Sequence, residues 1–150
     1  MARTKPATPA VSIDVQRRVA ARGIPSANSL RGFARAALQP KAQGELTIRI
    51  TDPLESRELN RDFRGKDKPT NVLSFGYDVP DMLGDLVICA EVVAQEAAEQ
   101  GKVPRAHWAH MVVHGCLHLQ GFDHECEPEA AHMEAMETAI LAALGFSNPY

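Results

Sequence analysis

HGCLHLQGFDH, residues 114–124, sets His114, His118 and His124 at intervals that one metal ion can use. His114 and His118 are four apart, so on a helix they project from one face, one turn above the other. Gly121 stands where a helix end needs a left-handed residue, and the sharp turn it permits would swing His124 back towards the first two. Three imidazoles leave a fourth tetrahedral position open, the pattern of a catalytic rather than a structural site. The spacing predicts one Zn2+ per chain, on a helix and the turn that follows it.

The helix expected over 104–119, opened by Pro104, also carries His107 and His110. His110 and His118 would lie ~12 Å apart along an axis that rises ~1.5 Å per residue, too far to share an ion. His107 and His110 are therefore read as packed or hydrogen-bonded near the site, with support of a ligand from behind as the lesser alternative for His110. His132 is read as a surface residue. Cys116 is turned roughly 200° from His114 at ~100° per residue and belongs to the core. Cys126 follows His124 by two, and as a fourth ligand it would close the site into a structural one. Asp123 could orient a ligand imidazole, or cap the turn by local hydrogen bonds.

Working outward, Val11, Ile13 and Val15 alternate with polar residues as in a half-buried strand, and ELTIRI at 45–50 does so more clearly. NVLSFGYDV at 71–79 and DLVICA at 85–90 complete the strand signals, separated by Pro80 and Gly84. Helices are expected from Ser26 to before Pro40, after Asp52 with Leu54, Leu59 and Phe63 as anchors, and from Ala90 to Gly101. A last helix runs from Glu127, with Met133, Met136, Ile140 and Leu144 on its inner face and Gly145 at its end. Residues 1–10, with two prolines and two cations, read as a flexible tail, leaving 11–150 as a single domain.

At 150 residues the chain can bury a core without disulfides, and its three cysteines show no CxxC pairing, which suits a reducing cytoplasm. A net charge of −3 excludes a broad basic surface for nucleic acid, so any phosphate site must be local. No stretch approaches the ~18 apolar residues of a membrane span. The segment 52–68 mixes five cations with its acids and, taken alone, reads as a solvated helix face with weak ion pairs.

The histidine and glycine spacing matches HExxHxxGxxH, the extended zinc motif of metzincin proteases. Those enzymes place a glutamate after the first histidine for acid–base work, and Gly115 stands there instead. A protease reading loses its key residue. HGCLHLQGFDH, together with RGKDKPTNVLSF at 64–75, GDLVI at 84–88 and HWAHMVVHG at 107–115, resembles the YbeY endoribonuclease family from about residue 45 onward. The resemblance implies a zincin-like α+β fold, a mixed sheet of about four strands packed with helices. It also implies a zinc-dependent, single-strand-specific endoribonuclease of the bacterial cytoplasm. Such an enzyme acts in small-subunit rRNA end processing and ribosome quality control, beside the small ribosomal subunit and its assembly factors.

Within the resemblance, Arg64 matches the arginine the family associates with activity, and a guanidinium suits the charge that builds on phosphoryl oxygens. His114 joins it as a catalytic position through the metal. Arg61, Lys66 and Lys68 become candidates for steering the RNA backbone, and Thr70 and Asn71 for touching substrate, with surface charge and turn formation as their ordinary roles. Two other readings stay open: a zinc hydrolase of peptides or small substrates, and a ribosome-assembly factor whose metal only stabilises the fold.

Overall fold

The computed structural model describes residues 10–20, 22–123 and 125–150. The expected tail at 1–10 falls almost wholly outside these residues, as does His124. Four strands form one sheet: β1 (Val11–Arg17), β2 (Gly44–Thr51), β3 (Val72–Val79) and β4 (Met82–Cys89), in the order β1-β2-β4-β3. β1, β2 and β4 are parallel, and β3 pairs antiparallel with β4 at the edge. Leu46, Ile48 and Ile50 of β2, with Leu86 and Ile88 of β4, are fully buried, as the alternation in ELTIRI requires.

β4 begins earlier than its apolar run suggests. The residues before Asp85 pair on both sides, Met82 with Glu45 of β2 and Gly84 with Gly76 of β3, so hydrogen bonding extends the strand where side-chain pattern alone predicts a loop.

Among the described residues five helices flank the sheet: α1 (Ala27–Ala37), α2 (Pro53–Arg64), α3 (Ala90–Glu99), α4 (Pro104–Leu119) and α5 (Glu127–Ala143). Ser26 caps α1 by accepting from the Ser29 amide, and Asp52 caps α2 by accepting from the Glu55 amide ahead of Pro53. α4 is the central helix. It is buried nearly all round, from His107 to Val113 and again at Gly115, Cys116 and Leu117, with Trp108 against the core. The Cys116 thiol is fully enclosed, and burial pushes its pKa up to about 12, as fits a core residue.

One expectation about α2 is overturned. Leu54 and Phe63 are exposed at 65% and 61%, and the buried residues of this helix are Ser56 and Asn60. The cause is the loop 65–71, which folds back on α2 and brings backbone groups that need partners. Ser56 Oγ donates to the Thr70 carbonyl and accepts from the Thr70 amide, while Asn60 Nδ2 donates to the Lys68 carbonyl at 2.7 Å. A polar inner face is what that loop requires.

Candidate active site

α4 ends in the turn that the sequence predicts. Gly121 has φ +96°, its amide donates to the His118 carbonyl, and the Phe122 amide donates to the Leu117 carbonyl. This is the paired bonding of a Schellman end, which the left-handed glycine makes accessible. It returns the Phe122 carbonyl to within 3.2 Å of His118 Nδ1. A carbonyl only accepts, so Nδ1 carries the proton and the lone pair of neutral His118 sits on Nε2.

His114 is set by different means to the same end. Its Nδ1 lies 2.7 Å from Oε1 of Glu137, a fully buried residue of α5. Burial by itself would raise the Glu137 carboxyl, but hydrogen bonds from His110, His114 and Tyr150 outweigh it and hold the pKa at about 2. The group is an ionised acceptor, so His114 also presents Nε2 as its basic nitrogen. The rings of His114 and His118 stand 6.5 Å apart and parallel within 4°. Two imidazoles with matched tautomers on adjacent turns form the donor set that zinc prefers. Among the described residues no three His, Cys, Asp or Glu side chains are placed to hold one metal ion, and His124, the expected third ligand, lies outside them. Asp123 is half-buried in the turn, and Cys126 is an exposed free thiol at the start of α5.

Arg64 reaches the same place from the other side. It ends α2, where Gly65 turns the chain, and its guanidinium donates to the Ser74 carbonyl of β3 at 2.8 Å while lying 5.2 Å from the Phe75 ring centroid. Arg64, Val72, Leu73, Ser74, His114 and His118 line one pocket of about 130 Å³. One guanidinium and two imidazoles, brought together from α2 and α4, thus share one cleft at the sheet edge.

Arg61, Lys66, Lys68, Thr70 and Asn71 are not among the residues lining that pocket. Arg61 pairs with Asp62 at 3.0 Å on the surface, and Lys66 and Lys68 are exposed on the neighbouring loop. Thr70 is held to Ser56 through its backbone, and Asn71 donates from Nδ2 to both oxygens of Glu96 at 3.1 and 3.2 Å. Glu96 also receives His107 Nε2 at 2.9 Å, so Asn71 anchors the start of β3 to α3 and α4. His107 and His110 are buried and hydrogen-bonded, as expected, and His132 is exposed.

Gly115 has a structural reason as well as a chemical one. A Cβ there would lie 2.7 Å from Leu86 Cδ2 and 3.4 Å from Ser74 Oγ, so this position faces the sheet at a close approach of α4 to β4 and β3. Sequence reasoning missed Glu137 and Glu96. The signal for Glu137 was present: it sits four residues from both Met133 and Leu141, on the stripe of α5 that is buried.

A mixed four-stranded sheet with one antiparallel edge strand, bordered by a helix that carries paired histidines, defines the zincin-like α+β class. The family model described as Endoribonuclease YbeY matches residues 21–145, and the chain belongs to the YbeY endoribonuclease family. Membership makes it a nuclease whose substrate class is RNA. The fold is similar to the solution structure of TM1509 from Thermotoga maritima, with a TM-score of 0.59 and 22% identity over 92% of this chain and 98% of that one.

Proposed function

We propose that this protein is a zinc-dependent endoribonuclease that cleaves single-stranded segments of ribosomal RNA, acting in the cytoplasm on the end of the small-subunit RNA and in ribosome quality control, beside the small subunit and its assembly factors. The observation that carries the reading is the shared pocket of Arg64, His114 and His118. His114, His118 and His124 would hold one zinc ion, which supplies Lewis acidity towards a phosphodiester.

The chain's own residues do the rest. Glu137 and the Phe122 carbonyl engage Nδ1 of the two imidazoles, which leaves Nε2 of each as the nitrogen turned to the ion. Arg64 meets the charge that develops on the phosphoryl oxygens; a guanidinium has five N–H donors, enough to keep the Ser74 carbonyl and still form a paired contact with phosphate. Arg61 on the last turn of α2, with Lys66 and Lys68 on the loop that follows, extends positive charge beside the pocket, where a nucleic-acid backbone would leave it. Thr70 and Asn71 border that loop and complete the proposed substrate track, and Asp123 supports the ligand turn. Three free cysteines suit a reducing compartment. No helix among the described residues is long and apolar enough to cross a membrane.

The test compares wild type, Arg64→Ala and His114→Ala on single-stranded and structured ribosomal RNA fragments, with zinc content measured alongside. Loss of cleavage in both variants, with zinc lost only in His114→Ala, is expected. Equal cleavage by all three proteins would mean a contaminating nuclease and would end the proposal. A 2′,3′-cyclic phosphate on the product would identify the RNA 2′-hydroxyl as nucleophile; its absence would favour water.

A further inference from the structure

Glu137 is buried to 0% exposure on the stripe of α5 between Met133 and Leu141, each at 1%. A carboxyl group is tolerated there only when hydrogen bonds replace water. Oε1 accepts from His114 Nδ1 at 2.7 Å, and Oε2 accepts from His110 Nε2 at 3.0 Å and from the Tyr150 hydroxyl. One carboxylate therefore addresses two histidines of α4 through opposite ring nitrogens. It leaves His114 with a basic Nε2 and gives His110 a basic Nδ1, and that Nδ1 is buried with no hydrogen-bond partner among the described residues. A buried acceptor without a partner is tolerated more readily than a buried donor, which agrees with this tautomer.

Tyr150 comes from the segment after α5. The turn at Gly145 reverses the chain, the Phe146 amide donates to the Leu141 carbonyl at 2.8 Å, and the Phe146 ring meets Phe33 edge-on at 5.8 Å. Those contacts carry the segment back over α4, where the Tyr150 ring meets the His110 ring edge-on at 5.3 Å and its hydroxyl reaches Glu137. Most of the tyrosine remains on the surface at 62% exposure, so core packing does not explain where its hydroxyl goes.

We infer that Glu137 is the positioning residue for His114, choosing its tautomer and fixing its ring for metal, and that Tyr150 and His110 hold Glu137 in place. The inference rests on the zinc reading for its consequence, but its tautomer statement stands on the metal-free protein. A purely structural carboxylate would hold α5 to α4 without changing which nitrogen of His114 is basic.

The experiment uses the full chain. Long-range ¹H–¹⁵N correlation of ¹⁵N-histidine protein stripped of metal should show His114 as the Nδ1–H tautomer in wild type, and a shift towards Nε2–H in Glu137→Ala. Zinc affinity, measured by competition with a chelating dye, should fall about 10–100-fold in Glu137→Ala, the range typical of losing the partner behind a ligating histidine. Glu137→Gln keeps an acceptor for His114 and should recover most of that loss. Tyr150→Phe should weaken zinc by less than Glu137→Ala does. Met133→Ala, a core change one turn away, should lower the melting temperature and leave zinc affinity unaltered.

Equal weakening in Met133→Ala and Glu137→Ala, or no tautomer change in Glu137→Ala, would overturn the inference. Should Glu137→Ala not fold, Glu137→Gln and Tyr150→Phe decide by the same two readouts: loss in Gln as large as in His114→Ala, or no effect of Tyr150→Phe, counts against it. If His114→Ala binds zinc as well as wild type, the zinc reading has failed instead, and the tautomer result still tells whether Glu137 positions the ring.

Discussion

The two walls of the candidate cleft are built differently. On the α4 side, both imidazoles are fixed through Nδ1, one by a buried carboxylate and one by the carbonyl of a helix-ending turn. On the α2–β3 side, Arg64 is exposed and is held by backbone carbonyls and the face of Phe75. The first wall is preorganised, because His114 cannot turn without unpairing the buried Glu137 carboxylate and His118 cannot without giving up the Phe122 carbonyl. The second can adjust to a ligand at small cost. Metal binding needs fixed donors, and an RNA backbone of variable sequence needs an adaptable cation, so the difference matches the division of labour proposed for the site.

The comparison breaks most visibly if the rigid wall is cut. His118→Ala should reduce zinc affinity beyond the ~10–100-fold cost of losing a supporting partner, and RNA cleavage should fall with it. Dye competition and a cleavage assay on one RNA fragment check both. Zinc retained at wild-type affinity would show that α4 is not the ligand wall.

The adaptable wall should respond otherwise. Arg64→Ala is expected to lower kcat by ~10²–10³, the usual cost of losing one hydrogen-bond donor to a transition-state charge. Zinc content should be unchanged, and stability should stay within ~0.5 kcal/mol because the residue is exposed. Arg64→Lys should recover only part of the rate, since an ammonium cannot make the paired contact. A large loss of stability would mean that Arg64 holds the α2–β3 corner together rather than serving the substrate.

Legibility in the sequence divides along the same line. The limits of α4 could be read because they depend on local chemistry, Pro104 at one end and the Gly121 turn at the other, and the histidine spacing follows from helical geometry. The three parallel strands could be read from alternation and apolar runs. The support behind the candidate ligands was signalled only by the place of Glu137 between Met133 and Leu141, and an apolar reading of α5 passes over it. The expected inner face of α5 was drawn through its apolar residues, Met133, Met136, Ile140 and Leu144, and Glu137 on the adjoining stripe has meaning only once His110, His114 and Tyr150 are brought to it. α2 misled for a related reason, since Ser56 and Asn60 face inwards to satisfy a loop that comes later in the chain. Arg64 was separable from its charged neighbours only through the family resemblance; the pocket that singles it out is made by β3.

Gly115 lies between the two walls and offers a third test. Gly115→Glu would restore the protease motif in sequence, yet a side chain there points at Leu86, which is fully buried, and Ser74. Overpacking costs ~1–3 kcal/mol, and forcing a charge towards the sheet adds to it. Chemical denaturation should therefore show a loss of about 3 kcal/mol, with no peptidase activity gained. A stable variant would mean that α4 sits further from the sheet than described.

The smallest effect concerns how α2 is held to the sheet. Glu55 bridges α2 to Arg49 of β2 through paired bonds, one of them 2.9 Å, and both side chains are about 30% exposed. The bond from Arg49 is the main reason the Glu55 pKa is lowered, with burial opposing it. A depressed folded-state pKa means that the pair stabilises the fold above the unfolded carboxyl value of ~4.3 and loses that contribution as pH falls through the folded one. Wild type should therefore exceed Glu55→Gln by ~0.5 kcal/mol at neutral pH, the partial exposure keeping the figure low, and the two should converge in acid. Asp67→Asn is the matched control: Arg57 likewise lowers the Asp67 carboxyl, but that pair is at least half exposed and should move the acid limb less than Glu55→Gln does. Denaturant midpoints from pH 7 to pH 3 for the three proteins would show it. A constant gap between wild type and Glu55→Gln down to pH 3 would mean that the pair is not what ties α2, and with it Arg64, to the sheet.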